Sequence, residues 1–211
     1  MTRDPQAGDA RRIGRWILDL ALLVAAGSIA VMLVSGRWEE AVRFGLVLAA
    51  IVAARLAAVP PSFAGAFSVF VLLAMWAGVQ HWYRAISWFD VVVHFLTPGS
   101  IAAVAYYVLV QWRLMPGPRD VPAHLRSWAP VLWTTLTGVT IAVVWEFYEW
   151  TVEQFSPQGM IVGYTDTVVD LLAGLSGSLV AGLLVHAHGR SRRGLVLPGD
   201  ADRRTPAAAR A

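Results

Sequence analysis

Three pairs of ionisable residues carry the chemistry that this sequence can do: Asp90 with His94, Glu146 with Glu149, and Asp166 with Asp170. Their spacings are DxxxH, ExxE and DxxxD. On a helix each spacing projects both side chains from one face, with Cβ atoms about 5–6 Å apart, so each pair can grip one ligand together. Every pair lies where a hydrophobic segment meets its flanking loop. A charge at the centre of a membrane helix costs about 2.5–3.5 kcal/mol on insertion scales. Five carboxylates so close to lipid therefore call for a shared reason, and a common polar site supplies one.

With His94 neutral the five carboxylates carry a formal charge of −5. Like charges at such separations cannot all stay ionised, so either cations or protons must enter. Asp90, His94, Asp166 and Asp170 are the candidate metal ligands, a mixed oxygen and nitrogen set that suits a divalent cation such as Mg²⁺, Mn²⁺ or Zn²⁺. Glu146 and Glu149 are the candidate catalytic residues, one of them as general base. One or two metals held this way activate water for hydrolysis of phosphate or ester bonds. The function this favours is a metal-dependent membrane hydrolase or transferase acting on a lipid-linked or envelope substrate.

Two other classes use the same residues. If protons or monovalent cations neutralise the acids, the chain is a proton- or cation-coupled transporter. Against that, polar residues thin out towards the far half of the three segments, and no inverted repeat is visible. If helix dipoles and caps account for Asp90 and Asp166, and Arg84 or Arg43 pairs with Glu146 or Glu149, the protein is structural and its acids are internally paired. No Walker loop, nucleophile elbow or HExxH occurs, which disfavours nucleotide hydrolysis and zinc-protease chemistry.

The elements that must position these residues are membrane helices. Hydrophobic residues make up 57% of the 211 and charged residues 15%, against about 25% charged in a soluble domain, and the apolar residues come in bilayer-length blocks. The sequence predicts an all-α bundle of about six transmembrane helices: 13–34, 41–59, 62–80, 89–111, 129–150 and 166–187. Breakers separate them at Pro60-Pro61, Pro116-Gly117-Pro118 and Ser156-Pro157-Gln158-Gly159. Residues 1–12 and 188–211 read as polar, disordered tails, leaving 13–187 as the one folded domain. The first segment is too long for a signal-peptide core and reads as an uncleaved anchor. There is no cysteine, hence no disulfide and no thiolate metal site.

Orientation follows from arginine, since the chain has no lysine. With both termini in the cytoplasm, 14 of the 17 arginines fall inside and only Arg37, Arg43 and Arg84 outside. The basic balance thus reports topology and attraction to anionic lipid headgroups, and nucleic acid is not an expected partner. This N-in, C-in arrangement puts all three pairs at one, extracytoplasmic, depth. Helical faces agree: Asp166, Asp170, Gly174, Ser178 and Gly182 repeat every four residues, and Thr135, Gly138, Ala142, Glu146 and Glu149 form a similar stripe. Small residues on such stripes let helices pack closely in lipid, so the acids should face protein. Below His94, Thr97-Pro98-Gly99 should bend the fourth segment.

Other polar residues have simpler expectations. Asp19 should pair with Arg15 one turn earlier. His81 should be interfacial, with a ligand role as the alternative, and His186 and His188 should be solvated. Trp82, Trp88, Trp145 and Trp150 at one end, with Trp16, Trp112 and Trp128 at the other, should form interfacial belts.

The segments Trp88-Phe89-Asp90-Val91-Val92-Val93-His94-Phe95, Trp145-Glu146-Phe147-Tyr148-Glu149-Trp150 and Gly163-Tyr164-Thr165-Asp166-Thr167-Val168-Val169-Asp170-Leu171 resemble the YjdF-like bacterial inner-membrane proteins, an uncharacterised family. More loosely, the order DxxxHF, Glu, DxxxDLxxxxxG is similar to the VanZ-like proteins associated with glycopeptide resistance. The likeness covers about 89–184 and implies the bacterial cytoplasmic (inner) membrane; it supplies no reaction. Val91 stands where the VanZ-like proteins have a basic residue, and Glu149 is an added acid.

Overall fold

The computed structural model describes residues 5–122, 125–155 and 163–191, and these form helices joined by short turns, with no strand among them. The helices are α1 (Pro5–Val34), α2 (Trp38–Leu56), α3 (Pro61–Val79), the single turn α4 (Trp82–Ala85), α5 (Phe89–Gln111), α6 (Ala129–Phe155) and α7 (Tyr164–Ser191). Of the expected tails at 1–12 and 188–211, residues 5–12 belong to α1 and 188–191 to α7, while 1–4 and 192–211, like the expected breaker at 156–159, lie outside the described residues.

Five helices are long and apolar enough to cross a membrane: Arg12–Val34, Pro61–Val79, Phe89–Gln111, Ala129–Phe155 and Tyr164–Arg190. α2 is a helix where a sixth crossing was expected, but its 19 residues carry Glu39, Glu40, Arg43 and Arg55, which keeps it out of that set. It also stops at Leu56. Ala57 and Ala58 close its last turn on Ala53 and Arg55, Ala58 takes a left-handed φ of 48°, and Pro61 opens α3 at a position where its missing N–H is no loss.

The bundle has two halves. α1, α2 and α3 share an apolar core that includes Leu18, Ala25, Phe44, Ile51, Phe67 and Leu72. α5, α6 and α7 pack on one another, and α3 against α5 joins the halves. Asp19 pairs with Arg55, tying α1 to α2. This corrects the expected Asp19–Arg15 pair: the longer reach across the helix hairpin supplies the partner.

In the second half, small residues bring backbones into contact. A Cβ on Gly99 would lie 2.6 Å from the Gly177 carbonyl oxygen, and one on Gly177 would overlap the Phe95 carbonyl. A Cβ on Gly174 would lie 2.8 Å from the Ala142 methyl, and one on Gly182 the same distance from the Val131 carbonyl. These contacts bear out the close-packing stripe on α7. On α6 the stripe begins one residue earlier than expected: Thr134 is fully buried, while Thr135 returns its hydroxyl to the Val131 carbonyl.

Candidate acid and histidine site

Asp90 is the second residue of α5, Glu149 lies near the last turns of α6, and Asp166 is the third residue of α7. The alternating directions of these helices bring the three pairs to one end of the bundle. His94 sits at the centre, 3% exposed. Its Nε2 lies 3.5 Å from Asp90 Oδ1 and its Nδ1 lies 3.5 Å from Glu146 Oε1. Ligating atoms of Asp90, His94 and Asp170 fall within 4.8 Å of one another, and so do those of His94, Glu146 and Glu149. The two groups share the imidazole.

Burial sharpens the chemistry. Asp170 is 1% exposed, its Oδ2 has no hydrogen-bond partner, and Glu146 Oε1 is likewise buried without one. A buried carboxylate oxygen left unpaired is costly, so both atoms have an unmet demand for a cation or a proton. Oxygens with nitrogen from one imidazole, gathered within a few ångströms, fit a divalent cation of the Mg²⁺, Mn²⁺ or Zn²⁺ type. Asp166 stands apart: it is half-exposed and in neither group, yet its charge acts on Asp90, Glu146 and Asp170.

Three neighbours absent from the spacing argument complete the site. Trp145, expected only to serve in a belt, donates its indole N–H to Glu149 Oε1 at 2.9 Å and so orients an acid. The i, i+4 spacing from Trp145 to Glu149 was the available signal. Thr167 places its hydroxyl on the Glu146 carboxylate. Tyr83, on α4 and outside the spans, donates to the Ala74 carbonyl at 2.9 Å. Its phenol is pushed above the ordinary tyrosine range, first by burial and then by the charges of Asp90 and Glu149.

The remaining histidines are sorted by contact. His81 is exposed, caps α4 in a left-handed conformation with φ 58°, and belongs to neither ligand group. His186 and His188 differ from the solvated state expected. His186 Nδ1 is buried without a hydrogen-bond partner, and the His188 ring packs edge-on to Phe63 and Tyr107 at 5.5 and 6.4 Å. The reason is that α7 continues to Ser191, so both residues remain against the bundle. The expected thinning of polar groups is also incomplete, since Thr134 and Ser178 are fully buried in that half. The arginines offered as structural partners do not reach the acids in the case of Arg43, which pairs with Glu39.

With this geometry in hand, the chain can be set beside known proteins. A family described as "Predicted membrane protein (DUF2238)" matches residues 15–191, a stretch containing every site residue. The chain belongs to this family. It is thus a multi-pass membrane protein, and the DUF2238 description assigns it no reaction. No curated protein and no solved structure matches the chain. The VanZ-like likeness gains no support from these matches.

Proposed function

We propose that this protein binds a divalent cation at the extracytoplasmic end of α5, α6 and α7, and uses it to hydrolyse or transfer a group on a lipid or envelope substrate. The unpartnered, fully buried Asp170 Oδ2, aimed into a cluster with Asp90 and His94, carries this reading. Asp90, His94 and Asp170 would hold the ion, with Asp166 able to join from the first turn of α7. When bound, the cation supplies charge neutralisation and Lewis-acid activation of water or of a phosphoryl or carbonyl oxygen. Glu149, steadied by the Trp145 N–H, is the candidate general base, and Glu146 completes the second group with His94. A transport route is disfavoured by the contacts of Gly99 and Gly177 with α5 and α7 backbone and of Gly174 with Ala142, which close the bundle beneath the acids.

The placement of the site rests on six crossings with both termini inside, in a bacterial inner membrane of the YjdF-like kind. Two features support counting α2. Its charges sit in the first two turns and the last turn and are paired: Arg37 with Glu40, Arg43 with Glu39, Arg55 with Asp19. Moreover, the Asp19–Arg55 pair aligns α2 antiparallel to α1 over some five turns, so if α1 crosses, α2 returns beside it. Elemental analysis of the purified protein beside Asp170→Ala tests the cation. About one divalent ion per wild-type chain and none in the variant is the expected result; metal-free protein after purification in Mn²⁺ or Zn²⁺ overturns it.

A further inference from the structure

α5 and α7 touch where Phe95 and Gly99 meet Gly177. Towards Asp90 and Asp170 a groove of about 500 Å³ lies between them, lined by residues that include Val91, Phe95, Val169, Leu172, Ala173 and Ser176. Val91 and Val169 are the chain neighbours of Asp90 and Asp170, and Phe95 is the neighbour of His94. The groove therefore begins at the level of the acids and runs for about two turns, some 10 Å, along α7. Val91 on α5 and Val169 and Leu172 on α7 are exposed on the surfaces of two helices that are apolar enough to lie in lipid. A hydrocarbon chain entering from the bilayer finds an apolar wall here whose upper end lies at the level of the ligand cluster, one residue along the chain from Asp90, His94 and Asp170.

The polar end of the occupant follows from the charges around it. The N-termini of both α5 and α7 point to this end, and the α5 cap residue Trp88 gives no side-chain hydrogen bond to the first turn. The positive ends of two helix dipoles favour an anion at the mouth. Carboxylates alone would repel it, but a divalent cation held by Asp90, His94 and Asp170 keeps coordination positions for oxygens from outside, and phosphate is the usual companion of such ions. A phosphate head bridged to the cation, with its chain in the groove, meets both demands.

We infer that the substrate class of this site is a phosphate-bearing lipid, its head on the Asp90–His94–Asp170 cation and its chain in the α5–α7 groove. This rests on the cation reading proposed above. The test uses the full chain in detergent with Mn²⁺, and native mass spectrometry with three probes: dodecyl phosphate, dodecanol and inorganic phosphate. Val169→Trp fills the groove from its lipid-facing side, and Mn²⁺ content and melting temperature are measured on every sample. Expected is retention of one dodecyl phosphate that requires Mn²⁺, about tenfold or more tighter than either other probe because only it uses both the head site and the apolar wall. In Val169→Trp that retention should fall by about tenfold with Mn²⁺ content unchanged. A Mn²⁺-loaded wild type that holds dodecyl phosphate no better than dodecanol overturns the lipid proposal and leaves the cation reading standing. Equal binding of inorganic phosphate, or no effect of Val169→Trp in wild-type-like protein, removes the groove from the argument and overturns it as well. If Val169→Trp fails to fold, the three-probe comparison in wild type decides alone. Wild type that takes up no Mn²⁺ ends both proposals.

Discussion

His94 on α5 and Glu146 on α6 face each other at 3.5 Å, Nδ1 to Oε1, while the other imidazole nitrogen faces Asp90 at the same distance. A neutral imidazole carries one proton, so it can donate to only one of these carboxylates, and the other contact is left to a cation or to a second proton. The two possibilities separate under substitution. If a divalent ion resides here, a concentration about 100-fold above its Kd adds about 2.7 kcal/mol. For a chain of this size that raises the melting temperature by about 5–10 °C. Asp90→Asn, Glu146→Gln and Asp170→Asn should each abolish the rise. If protons do the work, the same substitutions relieve repulsion and leave stability equal or higher without metal. A thermal-shift series with Mg²⁺, Mn²⁺, Ca²⁺ and Zn²⁺ that shows no response in wild type would sink the cation reading.

Helix contact in the second half of the bundle should be intolerant of even one added carbon. Gly177→Ala places a methyl into the Phe95 carbonyl, and Gly174→Leu drives a side chain into Ala142. Overpacking of this kind costs about 1–3 kcal/mol, and more where the obstructing group is backbone that cannot rotate away. Gly27→Ala is the control, because nothing lies within 4 Å of its new Cβ. Melting in detergent should drop for the first two and hold for the third. Equal stability of all three would mean that α5, α6 and α7 do not meet at these glycines.

The glycine stripe and the convergence of the three pairs were legible because both follow from helical period and from the direction of each segment. His94 with Asp90 needs only an i, i+4 spacing, and arginine bias alone suffices to set Glu146 and Asp170 at the same end. What spacing does not carry is the rotation of one helix against the next. Asp166 and Asp170 share a face of α7, yet only Asp170 enters a ligand group, because it lies a turn deeper where α5 and α6 close around it. Asp19 is the same lesson in another place. Arg15 is nearer in sequence, but the packing of α2 on α1 brings Arg55 to it. The continuation of α7 past Ala187 was hidden by the polar Gly189-Arg190-Ser191, although Gly189 is buried and packs directly on the Pro118 carbonyl.

The orientation is open to direct measurement. Reporter fusions in the Pro116 loop and after Gly189 should read cytoplasmic, and one near Gln158, outside the described residues, should read extracytoplasmic. Single cysteines at Gly36 and Ala58, in a chain with no native cysteine, add the test of α2. Labelling of intact cells by an impermeant reagent is expected at position 36 and not at 58. Labelling at both positions would show that α2 lies along the membrane surface, leaving five crossings. Reversal of all three fusions would move the acid site to the cytoplasmic face.

Trp145 provides a way to separate holding the ligand from positioning the base. Its indole N–H is bonded to Glu149 Oε1, and Glu149 is buried, so Trp145→Phe keeps the aromatic bulk while removing one hydrogen bond. A hydrogen bond of this kind contributes about 0.5–1.5 kcal/mol, and losing it leaves a buried carboxyl oxygen unpaired. Since Asp90, His94 and Asp170 do not depend on this contact, metal content should stay within error of wild type. What should change is the second group: Glu149→Met, which removes the acceptor that Gln would keep, and Trp145→Phe should both lower stability, and the double variant should be little worse than the worse single, as expected of residues acting through one bond. Additive effects in that cycle would mean that Trp145 and Glu149 act independently. Loss of the metal in Trp145→Phe would mean that Glu149 is itself a ligand rather than the base.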